Sequence, residues 1–160
     1  VAPSPHDTGP LGIALIKEYE GFSRIPYKCP GGVWTIGYGS TTDANGKPVT
    51  CNAPDLSEEN AEAMLMRDVW NAEEAVREYV SVPLCSSQFD ALVSFTYNVG
   101  QGNFKFSSLL RILNTGNYNL ASLEFTKWKY AGGKVLAGLE RRRKAECSLF
   151  RLGPLSSLGE

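Results

Sequence analysis

The stretch that follows Ser57 constrains this chain most. Ala61, Leu65, Val69, Ala72, Val76 and Val80 succeed one another at steps of three or four residues, the spacing that lines up one face of an α-helix. Glu62, Arg67, Glu73, Glu74 and Arg77 fall between them and are expected on the solvated side. Ser57 is a candidate N-cap, and Glu58 and Glu59 suit the positive end of the helix dipole. A helix with a single apolar stripe has to bury that stripe against other elements, and the flanking sequence supplies two different kinds.

Ahead of the helix, residues 25–50 are rich in Gly, Thr, Tyr and Val. Val33-Trp34-Thr35-Ile36-Gly37-Tyr38 has the β-branched and aromatic character of a strand. Gly31-Gly32 and Ala44-Asn45-Gly46 are turn signals, so a small antiparallel sheet of two or three strands is expected. Before it, Pro10 opens a helix in which Leu11, Ala14, Leu15 and Tyr19 recur at helical spacing, with Gly21 as its stop. Beyond the long helix Pro83 breaks the pattern, and Ser86 or Ser87 caps a helix whose Phe89, Leu92, Val93 and Thr96 face inward. A Gly-rich turn over 98–103 ends it. A short helix starts at Ser107 and another includes Leu120, Leu123 and Trp128; Gly132-Gly133 opens a loop, and 136–152 reads as a final helix carrying Arg141, Arg142, Arg143 and Lys144. The fold class is α+β. Residues 1–9 form a lead-in and 10–160 one domain, with a sheet lobe over about 22–56 and a helical lobe over about 80–153 plus the N-terminal helix. A cleft between such lobes is the natural ligand site.

Composition narrows the function. The 160 residues are 42% hydrophobic and 21% charged, with net charge −1. That excludes a disordered chain and gives no overall field to attract nucleic acid. No apolar run approaches the roughly 18 residues of a membrane span, and the opening VAPSPHDTGP lacks the apolar segment of a signal peptide. Four cysteines (Cys29, Cys51, Cys85, Cys147) permit two bridges in three connectivities. With no Cys-x-x-Cys pair, and His6 alone in the proline-rich start, neither a zinc site nor a Cys–His dyad is expected. No metal or cofactor is implied.

Three residues become informative together. Glu20 stands at a helix end, where the dipole disfavours an anion and partial burial would keep the carboxyl protonated, fit to act as a general acid. Cys29 lies in a turn, either as an inert thiol or, near a cation such as Lys28, as a partly ionised one. Thr35 follows on a strand, with a hydroxyl able to hold a water. Glu20-Gly21, Tyr27-Lys28-Cys29 and Gly32-Val33-Trp34-Thr35-Ile36-Gly37-Tyr38-Gly39 resemble the motif of the phage-type lysozymes, glycoside hydrolase family 24. The resemblance continues in Gln88 to Phe95, Tyr97 to Gly100 and Gly138 to Arg143, and covers about residues 11–153 in order.

It implies a lysozyme-like fold and hydrolysis of the β-1,4 bond between N-acetylmuramic acid and N-acetylglucosamine in bacterial peptidoglycan. Glu20 would protonate the glycosidic oxygen, while Cys29, where the family usually has Asp, and Thr35 would position or activate water. Gly39, Thr41, Tyr97 and Asn98 match positions that bind the sugar chain. Arg142 matches an arginine that pairs with the catalytic Glu in relatives and would favour its ionised form. Ser40 replaces a frequent histidine, with little effect expected on the chemistry. The Arg141–Lys144 run reads alternatively as a solvated face or an attraction for anionic wall polymers. The expected protein is a monomeric endolysin without stable membrane insertion, made in the host cytoplasm and acting on the wall after the membrane is permeabilised, with export by an N-terminal segment ahead of Val1 as the alternative route. A non-catalytic peptidoglycan-binding protein and a lytic transglycosylase are the alternatives.

Overall fold

The computed structural model describes residues 7–155; His6 and the first part of the lead-in lie outside them. The elements run α1 (Pro10–Glu20), β1 (Ser23–Lys28), β2 (Trp34–Gly37), α2 (Glu58–Tyr79), α3 (Ser86–Val99), α4 (Gln101–Lys105), α5 (Ser108–Leu113), α6 (Tyr118–Glu124), a 3-10 turn at Phe125–Lys127, β3 (Tyr130–Ala131), β4 (Lys134–Val135) and α7 (Ala137–Phe150). The described residues form two compact units, one spanning Ile16–Trp70, the other built from residues 7–15 together with 71–155. Both α1 and α2 run from one unit into the other. The α+β, lysozyme-type architecture expected from the sequence is therefore present, with a small antiparallel sheet in one unit and a larger set of helices in the other.

The sheet unit rests on a thin core. β1 and β2 pair antiparallel with Tyr27 opposite Thr35 and Lys28 opposite Trp34, after an irregularity that follows the Ser23–Gly37 pair. Ile36, Val49 and Met64 are buried, and Trp34, Ala53 and Leu56 pack against them. Gly37 takes a positive φ of 66°, and a Cβ there would lie 3.1 Å from Leu56 Cδ2 and 3.3 Å from Ala61 Cβ, so glycine lets β2 approach α2 closely. The Ser57 hydroxyl accepts from the Asn60 N–H at 3.1 Å, as the N-cap reading anticipated. All six residues of the apolar stripe of α2, from Ala61 to Val80, are buried.

The helical unit is aromatic at its centre. Phe95 meets Phe104, Phe125 and Trp128 edge-on, with ring centroids 6.4, 5.4 and 5.6 Å away, a geometry worth about 0.5–1.5 kcal/mol per pair beyond burial. Phe89, Leu92, Val93 and Thr96 of α3 are buried as expected.

Several expectations are corrected. The buried face of α1 is not Leu11 and Ala14, which are exposed, but Gly12 and Ile16. A Cβ on Gly12 would come within 2.6 Å of Thr8 Cγ2 and 2.9 Å of Asp90 Cβ, so a residue without a side chain marks the packed stripe. Glu73 is buried rather than solvated: its carboxylate accepts from the N–H and hydroxyl of Thr8 at 2.6 and 2.7 Å. Asp90 accepts from the N–H groups of Gly9 and Gly12 at 3.0 and 3.2 Å. Two acids distant in sequence thus cap a helix that has none in its own first turn. The N-cap of α3 is Cys85, with the Gln88 side chain accepting from its N–H at 3.1 Å. The Gly-rich turn after Asn98 contains the extra helix α4, and the Gly132-Gly133 loop is the tip of a β3–β4 hairpin. Arg142 and Arg143 are buried and only Arg141 and Lys144 of that run are exposed, so the run is not a uniformly solvated face. All four cysteines are free thiols.

Candidate active site

The last turn of α1 delivers Glu20 half-buried, eight residues after Gly12 and four after Ile16 on the packed side of the helix. Gly21, at φ 68°, ends that helix, with its N–H donating to the Lys17 carbonyl at 2.9 Å, a glycine C-terminus of the ordinary kind. What faces Glu20 is Gly39. A Cβ built on Gly39 would lie 2.6 Å from Glu20 Oε1, and the glycine sits at φ 87°. Its conformation and the space its missing side chain leaves both belong to the carboxyl group.

Cys29 begins the turn between β1 and β2. Its carbonyl accepts from Gly32 N–H at 2.8 Å, and its own N–H donates to the Val33 carbonyl at 3.0 Å. The N–H of Val33 above all, then that of Gly31 and the Thr35 hydroxyl, hold the thiol below its ordinary value against the opposing effect of burial. Lys28, the cation anticipated from the sequence, lies 5.6 Å from the Trp34 ring centroid instead. Successive strand residues point to opposite faces, so peptide donors, not a neighbouring ammonium, stabilise the thiolate. Thr35 is buried, and the Val33 carbonyl, 3.0 Å away, is the other acceptor open to its single hydroxyl proton.

Tyr27 ties these groups together. It sits in β1 two residues before Cys29, which opens the turn beyond the strand, and opposite Thr35 across the ladder. Burial first, and then the negative charges of Glu20 and Cys29, push its phenol above the ordinary value. In the sequence Tyr27 was marked by the Tyr27-Lys28-Cys29 segment of the lysozyme-like motif. Arg67 of α2, read from the sequence as solvent-facing, instead donates to the Asp43 and Thr42 carbonyls.

Of the remaining candidates, Thr41 is exposed and its carbonyl accepts from Val49 N–H at 2.9 Å. Tyr97 and Asn98 occupy the last turn of α3 in the other unit, half-buried and exposed respectively. Arg142 is 3% exposed; its Nη2 donates to the Ser94 carbonyl at 3.2 Å and its Nε to Glu146 at 3.3 Å. Glu146 also receives the Ser94 hydroxyl at 2.6 Å and pairs with Arg143 at 2.7 Å. Among the described residues no cluster of His, Cys, Asp or Glu could hold a metal ion, and no helix is long and apolar enough to cross a membrane.

The fold is α+β and of lysozyme type, and its sheet unit holds a helix-end carboxyl against Gly39 together with a turn that carries a thiol and a strand that carries a hydroxyl. Comparison with known proteins agrees. The family model "Phage lysozyme" matches residues 17–146, and the chain belongs to that family. It is 41% identical over 143 residues to an endolysin of Acyrthosiphon pisum secondary endosymbiont phage 1, covering 87% of this chain and 94% of that one. It is 46% identical over 145 residues to the Bacillus phage B103 endolysin, covering 89% of this chain and 53% of that longer protein. Among solved structures, an endolysin from Escherichia coli O157:H7 phage FAHEc1 superposes with TM-score 0.82 at 32% identity, over 92% of this chain and 94% of that one. The muramidase domain of SpmX from Asticaccaulis excentricus gives TM-score 0.79 at 37% identity, over 93% and 99%.

Proposed function

We propose that this chain is an endolysin-type muramidase that hydrolyses the β-1,4 bond between N-acetylmuramic acid and N-acetylglucosamine in bacterial peptidoglycan. The observation that carries the reading is the Glu20 carboxyl lodged against Gly39, on the same small unit as the Cys29–Thr35 turn. Glu20 in its protonated form gives its proton to the glycosidic oxygen as the C1–O bond breaks. A water held by Thr35 and Cys29 adds its oxygen to C1 from the opposite face and passes a proton to the sulfur, giving inversion. The lowered thiol value fits a weak-base role, since a partly ionised sulfur can accept that proton. Gly39, Thr41, Tyr97, Asn98 and Arg142 are assigned to substrate binding. The protein works as a monomer on the wall, reaching it from the host cytoplasm after membrane permeabilisation.

The test is mass analysis of muropeptides released from purified peptidoglycan. Hydrolysis adds water to the new ends, whereas anhydro-sugar ends would mean a transglycosylase and no soluble product a binding protein. Cys29→Ser loses most activity and Cys29→Asp retains part of it. Equal loss in both would contradict the water-orienting role.

A further inference from the structure

The Gly39–Asp43 segment is tied to α2 by one ion pair that the chemistry above does not use. Arg67 spends its guanidinium almost entirely on this task. Its Nη1 donates to the Asp43 carbonyl, its Nη2 to the Thr42 carbonyl at 3.1 Å, and its Nε to Asp68 Oδ1 at 3.1 Å. The other oxygen of Asp68 accepts from the buried Ser40 hydroxyl at 2.7 Å. The segment is closed on its far side as well. Asp43 Oδ1 accepts from the N–H groups of Asn45 and Lys47 at 2.9 and 3.0 Å, and Val49 N–H returns to Thr41. Ser40 therefore sits between two fixed points: Asp68 on its hydroxyl and, one residue earlier, Gly39 against Glu20. A planar guanidinium that reaches two carbonyls and a carboxylate at once fixes both position and direction.

We propose that Arg67 and Asp68 are positioning residues for the hydrolysis, a clamp that sets Gly39, Ser40 and Thr41 in the register that seats the glycan beside Glu20. The inference rests on the muramidase reading. It also revises the expectation for Ser40, whose hydroxyl is one end of the clamp.

The experiment uses the full chain and soluble peptidoglycan glycan fragments. Arg67→Ala lowers kcat/KM about tenfold, chiefly by raising KM, since ångström-scale misplacement is costly. Arg67→Lys does not restore it, because one ammonium cannot take three acceptors in a plane. Asp68→Asn and Ser40→Ala each move KM in the same direction, and neither adds to Arg67→Ala. Hydrogen exchange of the 41–49 amides quickens in Arg67→Ala while that of α2 does not. The clamp is refuted if wild type cleaves and Arg67→Ala stays within twofold of it, or if the lost activity equals the fraction unfolded. A wild-type chain inert toward peptidoglycan would instead overturn the functional reading beneath it.

Discussion

In the helical unit a carboxylate and two guanidiniums lie together under nearly complete burial: Glu146, Arg142 and Arg143 are at most 3% exposed. In the Ile16–Trp70 unit the Glu20 carboxyl and the Cys29 sulfur stay half-buried, held by a glycine on one side and peptide N–H groups on the other. The first arrangement rests on a core containing Phe89, Phe95, Phe104, Phe125 and Phe150, all fully buried. The second rests on Ile36, Val49 and Met64. Charges buried as a set are mutually compensated and strongly coupled to folding. Charges left at the margin can exchange protons with a substrate. The comparison separates residues whose loss unfolds the protein from residues whose loss silences it.

The sharpest way to test that separation is Glu20→Gln. It removes the proton donor and lowers turnover about 10³-fold, within the range for general acids, while the urea midpoint stays at that of wild type. A turnover loss below tenfold would break the comparison at its centre. Glu146→Ala is the reverse case. It leaves Arg142 and Arg143 buried without their shared carboxylate and costs about 3–5 kcal/mol in urea unfolding.

The cysteines draw the same contrast by pH. Cys29 is held below the ordinary thiol value and Cys147 above it, the latter by burial. A lowered value means more thiolate at neutral pH, so iodoacetamide labels Cys29 faster than Cys147 at pH 7. The midpoint of the pH–rate curve for Cys29 lies below that of an ordinary free thiol and that for Cys147 above it. Equal rates would remove the electrostatic argument for the turn.

Gly39→Ala is smaller still. The positive φ and the contact with Glu20 cost about 1–2 kcal/mol of stability, and activity falls with the displaced carboxyl. Least of all is Glu62→Gln, which breaks the exposed 2.9 Å pair with Lys17 and shifts stability by less than about 1 kcal/mol.

Much of the fold was legible. The stripe from Ala61 to Val80 announced α2 because a periodic apolar face has one economical use, and Pro10 and Gly21 bracket α1 for local backbone reasons. Legibility failed where a partner came from afar. Glu73 and Arg67 read as solvated helix positions, since nothing nearby in sequence reveals that Thr8 or Thr42 will meet them. The buried stripe of α1 was misread because its first member, Gly12, has no side chain and carries no hydrophobic signal.

By itself, then, the sequence determined α1, the β1–β2 hairpin, α2, α3 and α7, their order and the chemical identity of Glu20, Cys29 and Thr35, because helix period, strand alternation and turn residues act over a few neighbours. Only tertiary packing decided that Gly39 would face the Glu20 carboxyl, that peptide N–H groups rather than Lys28 would stabilise the Cys29 sulfur, and that Arg142 and Arg143 would be buried. Those outcomes depend on which surfaces meet when the chain collapses, and desolvation and hydrogen-bond geometry take effect only once they have met.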